Sequence, residues 1–331
     1  MNHVTMKDIA KKAQVSVNTV SRALNDKPDI SETTKEKIQE IAKQLNYKRN
    51  ILARNLRTTK TKTIGVVISD NSNPFFAKVL KGIQDATNGQ GYQIILCNTE
   101  EKYEKEEEAV RLLLELRIAG LLITPTQARI DNLLELKQLG VPFVLLARKI
   151  ENIMANYVVC DDVPGAYIAT SYIIQQGHRK IAFLGGLSGI SDAKGRLEGY
   201  KQALSENQVE FNPFLVRAGC FDPETGYEAM KQILMEQERP TAVFCFSDYV
   251  AMGAIKAIQE KQLEIPEDIA VVGYDDIEFA TYLKIPLTTI KNPKYSMGVE
   301  ATKLLLGIIE GKITQPQQVI LKPELTIRES C

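Results

Sequence analysis

The run Val15-Ser16-Val17-Asn18-Thr19-Val20-Ser21-Arg22-Ala23-Leu24-Asn25 decides how the first sixty residues are read. Ser16 is a short polar residue able to cap a helix over 17–24, because its oxygen can accept one of the unpaired first-turn N–H groups. Upstream, Thr5-Met6-Lys7-Asp8 has the form of a capping box, opening a short helix that sets Ile9, Ala10 and Ala13 on its inner face. Gln14-Val15-Ser16 breaks that helix. Downstream, Asn25-Asp26-Lys27-Pro28-Asp29 is a turn cluster. Ser31 then caps a third helix over 32–45, whose Ile38, Ile41, Ala42 and Leu45 follow the helical period. Two short helices joined by a three-residue turn and buttressed by a third fit the helix-turn-helix plan.

The charge is distributed accordingly. The chain has 331 residues and no net charge, yet residues 1–62 hold fourteen Lys and Arg against six acids, a balance of +8. The remainder carries the opposite −8. A basic head on an acidic body is the footprint of a polyanion-binding module joined to something else.

From Lys62 onward, short apolar runs alternate with amphipathic helices. One set reads strand 63–69, helix 74–88, strand 93–98, helix 104–116, strand 120–124, helix 130–139 and strand 143–147. A second reads strand 157–160, helix 164–176, strand 180–185, helix 195–206, strand 214–218, helix 223–237, strand 242–246, helix 249–261 and strand 270–274. Such alternation predicts parallel sheets with right-handed crossovers. Two successive sets predict two similar doubly wound lobes with a ligand cleft between them. The tail holds one long helix, 295–310, and two short extended pieces, and is expected to pass back across both lobes.

Several function classes are disfavoured. Cys97, Cys160, Cys220, Cys245 and Cys331 lie far apart with no C-x-x-C pair, so free thiols, mostly buried in strands, are expected. His3 and His178 are too few for a His-rich metal site, and His178, in a turn before a strand, reads as structural. Gly185-Gly186 and Gly189 follow a strand but form neither G-x-G-x-x-G nor a P-loop. No nucleophile and base stand in a recognisable arrangement. The opening residues 1–8 lack an apolar h-region, and no run approaches the ~18 apolar residues of a membrane span, so a cytoplasmic protein with no membrane partner is expected.

The run 15–25 is preceded by Met6-Lys7-Asp8-Ile9-Ala10 and followed by Leu45-Asn46-Tyr47 and Ala53-Arg54-Asn55-Leu56-Arg57. Beyond the head come Asn73-Pro74-Phe75-Phe76, Gly177-His178-Arg179-Lys180-Ile181-Ala182 and Arg196-Leu197-Glu198-Gly199-Tyr200. Arg239-Pro240-Thr241-Ala242-Val243-Phe244, Val272-Gly273-Tyr274-Asp275-Asp276 and Leu287-Thr288-Thr289-Ile290 complete the series. In this order and over nearly the whole length, the chain resembles the lactose-repressor (LacI/GalR) family of transcriptional regulators.

The resemblance implies a helix-turn-helix domain at 1–49, a hinge helix and linker at 50–62, and a two-lobed effector-binding and dimerisation domain at 63–331. Within the last, it implies an N-lobe of about 63–161, a C-lobe of about 162–289 and a tail from 290 to 331. The helix after Ser16 would lie in the major groove with Val17, Asn18 and Arg22 facing base edges. Arg can bond guanine bidentately, Asn adenine, and Val can touch a thymine methyl. Thr5, Ser16, Thr19, Ser21 and Asn25 are short polar residues able to hold phosphates. Core packing for Val17 and a phosphate contact for Arg22 are the alternatives. In the hinge, Asn50, Ala53, Leu56 and Arg57 would meet DNA, with Leu56 wedged into the minor groove. The plainer alternative for Leu56 is an apolar linker residue packed on the body.

The body resembles a periplasmic sugar-binding-protein fold. By that resemblance Phe75, Phe76 and Phe221 would offer faces to a sugar or purine ring, although either of the adjacent pair could equally be core. Arg196, Ser247, Asp248 and Asp275 would bond the ligand, with Asp192 and Lys294 as further transfers. Ala147 stands where many relatives carry aspartate, and Ser247 replaces a frequent asparagine. No cofactor or metal is implied. The expected molecule is a homodimeric repressor on a palindromic operator, controlled by a small, sugar-like effector, with no leucine-heptad tail to make a tetramer. A sugar-binding protein without a DNA role and an α/β enzyme are the competing readings.

Overall fold

The computed structural model describes residues 4–47, 61–151 and 153–331, and the chain divides into two units, Met1–Thr61 and Lys62–Cys331.

In the first unit, α1 (Met6–Ala13), α2 (Val17–Leu24) and α3 (Glu32–Gln44) share one core of Ile9, Ala13, Val20, Ala23 and Ile38. Helices of eight residues do not persist alone in water, so this common core and their caps hold them. The Thr5 backbone N–H and hydroxyl both donate to Asp8 Oδ2, at 2.8 and 2.7 Å. Those bonds hold the Asp8 carboxyl below its usual range. Helix α1 ends on Gln14 in the left-handed region (φ 59). Ser16 Oγ accepts the Thr19 N–H at 3.0 Å to start α2.

In the second unit, a six-stranded sheet has the order β11-β5-β4-β3-β1-β2, and its paired strands are all parallel. These strands are β1 (Thr63–Ile68), β2 (Gln93–Asn98), β3 (Gly120–Ile123), β4 (Phe143–Leu146), β5 (Asn156–Cys160) and β11 (Gln318–Leu321). Helices α4 (Pro74–Thr87), α5 (Tyr103–Glu115) and α6 (Asp131–Gln138) make its crossovers. A second sheet has the order β12-β10-β9-β8-β6-β7. It contains β6 (Ile181–Leu184), β7 (Val216–Arg217), β8 (Ala242–Cys245), β9 (Ala270–Asp275), β10 (Thr288–Lys291) and β12 (Glu324–Thr326). Its helices are α7 (Asp162–Gln175), α8 (Ser191–Glu206), α9 (Pro223–Ile233) and α10 (Asp248–Glu260). The central strands are buried on both faces, which is why their sequences are continuous apolar runs.

The tail ties the lobes together. After β10, α11 (Lys294–Ile309) packs on α4 and on β3, β4 and β5 of the first lobe. Its crossing with α4 requires glycine on both sides. A Cβ on Gly298 would lie 2.1 Å from the Val79 carbonyl oxygen, and one on Gly82 would lie 2.2 Å from that of Tyr295. β11 then joins the first sheet and β12 the second, so the chain crosses between lobes three times.

Three details differ from the sequence expectation. β12 runs antiparallel to β10, so the second sheet is mixed at that edge. The strand expected at 214–218 shrinks to β7, because Asn212 caps a 3-10 turn at Pro213–Leu215 and accepts the Phe214 N–H at 2.9 Å. Helix α8 starts at Ser191 rather than near 195, which puts Asp192 and Arg196 one turn apart on one helical face. Among the described residues no helix is long and apolar enough to cross a membrane.

Candidate functional site

Ligands of open parallel sheets sit beyond the carboxyl ends of the strands, and the cleft between the lobes lies there. The two walls lie close together, leaving a cavity of about 60 Å³. Asp70 follows β1, Glu101 follows β2, Thr124 follows β3, and Ala147 and Arg148 follow β4. From the second lobe, Phe246 and Ser247 follow β8, Asp275 ends β9 and Asn292 follows β10. Backbone strain occurs at the same ends. Ala147 (φ 64), Asp275 (φ 107) and Asp276 (φ 53) are all left-handed without being glycine, a conformation that costs about 1–2 kcal/mol per residue.

Two buried guanidiniums organise the lining. Arg196, on α8, donates from Nε to Asp162 Oδ1 at 2.9 Å and from Nη1 to the Phe246 carbonyl at 2.5 Å. Its plane lies against Tyr274 and Phe246, with centroids 3.7 and 4.5 Å away. Arg148, from the first lobe, forms two parallel bonds with Glu101 at 2.7 and 2.8 Å. It also donates to Pro125 O and reaches Asp192 at 3.4 Å. Burial works against both cations, but the surrounding carboxylates more than offset it and hold both firmly protonated. Burial pushes the Asp162 carboxyl up to about 7 in spite of Arg196 beside it. Burial likewise raises Asp275.

Of the residues named from sequence, Phe75, Phe76, Asp192, Arg196, Phe221, Ser247 and Asp275 line this cleft. Phe75 and Phe76 are almost wholly buried, packed at right angles with centroids 5.0 Å apart. Both belong to the core of the first lobe as well as to the cleft wall.

Asp248 and Lys294 stand elsewhere. Asp248 is fully buried behind the wall, accepting the Ile277 N–H at 2.8 Å and the Thr289 hydroxyl at 2.5 Å. Burial raises its carboxyl well above the usual range. The Lys294 ammonium bonds the carbonyls of Asp275, Asp276 and Asn292, holding the left-handed turn that aims Asp275. Burial lowers its pKa. Neither side chain lines the cleft. Glu101, Arg148, Asp162, Phe246 and Asn292 were missed from sequence, although the strand-end rule points at each of them.

In the head, Val17, Asn18 and Arg22 are exposed on α2, and Thr5, Ser16 and Asn25 are exposed around it. Thr19 is half-buried, and Ser21 is buried. Arg22 forms an ion pair with Asp29 at 2.6 Å. Asn25 spends its amide on the Ser21 carbonyl, at 2.7 Å. Asn50, Ala53, Leu56 and Arg57 lie outside the described residues. His178 bonds Thr241 through Nδ1 at 2.9 Å, a structural contact.

A helix-turn-helix unit with an exposed polar helix, joined to two α/β lobes with a ligand cleft, defines a DNA-binding regulator under small-molecule control. Residues 61–329 match the family of periplasmic binding proteins and sugar binding domains of the LacI family, and residues 5–50 match the bacterial regulatory proteins of the lacI family. The chain therefore belongs to the LacI family of transcriptional regulators, binding DNA and an effector, and is not an enzyme. It is 37% identical over 328 residues to the HTH-type transcriptional repressor PurR of Vibrio atlanticus, covering 98% of each chain. It is 37% identical over 326 residues to the ribose operon repressor of Haemophilus influenzae, again covering 98% of each. A lac repressor dimer bound to operator and the anti-inducer ONPF superposes with a TM-score of 0.88 at 29% identity, covering 99% of both chains.

Proposed function

We propose that this chain is a homodimeric repressor that reads a palindromic operator through α2, with its grip set by a sugar-like compound bound between the lobes. The observation that carries the ligand class is the polarity of the cleft. Its charged lining is dominated by carboxylates, which when ionised only accept hydrogen bonds. A polyol offers one donor per hydroxyl, whereas the ring nitrogens and carbonyls of a purine call for donors. The relative named a ribose operon repressor is in keeping with that choice. Phe75, Phe76 and Phe221 supply apolar faces for a sugar ring.

For DNA, the exposed Val17, Asn18 and Arg22 supply a methyl contact, an adenine reader and a guanine reader. Two copies related by a two-fold axis would place two such helices one turn of DNA apart. Leu56 and Arg57 are assigned to the minor groove and a phosphate on sequence resemblance.

The test is a fluorescence-anisotropy titration of the full chain on a palindrome upstream of its own gene. It is run with and without sugars, sugar phosphates and purines, beside a thermal-shift screen of the same compounds. A sugar that both raises the melting temperature and changes operator affinity is the expected result. If only a purine does so, the ligand class falls. If the palindrome binds no better than random duplex, the operator reading falls.

A further inference from the structure

The cleft lining holds more carboxyl groups than cations. Among the described residues, Arg148 and Arg196 face five carboxylates, Asp70, Glu101, Asp162, Asp192 and Asp275. Each guanidinium is already shared. Arg148 is committed bidentately to Glu101 and only reaches Asp192 at 3.4 Å. Arg196 is committed to Asp162 at 2.9 Å and approaches Asp275 at 3.7 Å. Asp192 and Asp275 are thus left partly uncompensated on the same wall, with exposures of 9% and 4%. They are near enough for Asp192 to add to the upward push that burial exerts on the Asp275 carboxyl. Behind the wall the Lys294 ammonium, held by the backbone carbonyls of Asp275 and Asp276, offsets part of the Asp275 charge, while burial drives Asp248 towards its neutral form.

A second, independent feature lies beside Asp275. Asn292 lines the cleft, is 3% exposed and donates its amide to Asp275 Oδ1 at 3.2 Å, while its own Oδ1 meets no donor among the described residues. The carboxylate fixes that orientation, because only the amide NH₂ can bond to it. On the opposite wall the Thr124 hydroxyl, also in the lining, is likewise unpartnered. The cleft therefore presents an orphan acceptor beside two carboxylates that its cations compensate only in part. A neutral polyol would satisfy the orphan but leave the charge in a water-poor space, where Coulomb energies grow.

We infer that the ligand carries a protonated amine beside its hydroxyls, an amino sugar being the simplest such class, with its ammonium facing Asp192, Asp275 and Asn292. An ammonium brings three donors and one positive charge, which answers both features at once. This inference rests on the sugar-like reading of the cleft.

Matched pairs separate the two. Glucosamine, galactosamine and mannosamine are titrated calorimetrically into the full chain beside glucose, galactose and mannose, with N-acetylglucosamine as an amide that has lost the charge. At least one amine should bind about tenfold or more tighter than its neutral partner, as expected for one close opposite charge. N-acetylation should remove the advantage. Asp192→Asn, which keeps shape and the acceptor for the Ala193 N–H, should shrink the amine-to-neutral ratio. If neutral sugars bind as well as their amines, the charge inference is overturned and the sugar reading stands. If no member of either series binds, both fall.

Discussion

Arg148 and Asp192 meet across the cleft, the guanidinium of the first lobe 3.4 Å from a carboxylate on α8 of the second. The same rim is stitched by Gln127, whose Oε1 accepts the Ser191 N–H at 2.7 Å, and by the Lys149 N–H, which donates to Ser191 Oγ at 3.1 Å. The chain's own groups thus bridge the two walls. Breaking a buried ion pair by removing one partner destabilises by about 3–5 kcal/mol, since the other charge is left uncompensated. Arg148→Met should therefore lower the urea unfolding free energy by about 3 kcal/mol. In an Glu101→Gln background the same change should do much less. Equal losses in both backgrounds would mean that Arg148 and Glu101 are energetically independent.

Asp162 gives the body a pH signature. Burial pushes its carboxyl up to about 7 in the fold, against the usual 3.8 of a free aspartate. Between those values the folded chain holds a proton that the unfolded chain has released. Stability then falls as pH rises through that window and levels off above it. Asp248 and Asp275, also raised by burial, act with the same sign. Asp162→Asn should flatten the decline in melting temperature between pH 5 and pH 8 without abolishing it. A variant that falls as steeply as the parent would show that Asp162 is ionised throughout.

The fold was legible because its signals are local. Caps at Thr5, Ser16 and Ser31 and the alternation of apolar runs with amphipathic helices mark most elements to within a few residues. The site was legible only in part. Asp248 and Lys294 are ionisable residues at cleft-side helix starts, yet each turns to backbone or hydroxyl partners that no sequence pattern displays. Arg148 was passed over although it directly follows Ala147, because its partners Glu101 and Asp192 lie 47 and 44 residues away along the chain. Long-range pairing of that kind is set by topology.

The crossing of α4 and α11 offers a packing test. A Cβ on Gly298 would lie 2.1 Å from the Val79 carbonyl, a backbone atom that cannot step aside as a side chain can. Gly298→Ala should destabilise by about 2–3 kcal/mol, the upper part of the range for overpacking, even though alanine favours helices. Melting curves of Gly298→Ala and of an alanine substitution at exposed Gly140, whose φ is +67 but which has open space around it, separate overpacking from backbone strain. A smaller loss at Gly298 than at Gly140 would sink the close-crossing account.

On α2, Arg22 is held by Asp29, with Nη2 and Nε at 2.6 and 2.7 Å from one carboxylate oxygen. Those bonds raise the Arg22 pKa and lower that of Asp29, so both stay charged. An arginine tethered this way has fewer orientations available, which favours a fixed bidentate contact to a guanine over loose attraction to phosphates. Asp29→Asn releases the tether and removes one negative charge from a head that carries +8 over residues 1–62. Affinity for random duplex should therefore rise while preference for operator falls. Arg22→Ala should lower operator affinity about tenfold or more but leave random-duplex affinity nearly unchanged, as loss of a base reader does. A phosphate contact would instead weaken both DNAs and reduce the salt slope by about 0.9. The measurement is a pair of titrations on operator and random duplex, repeated at two salt concentrations. Parallel losses on both duplexes for Arg22→Ala would make it a phosphate anchor and leave base reading to Val17 and Asn18.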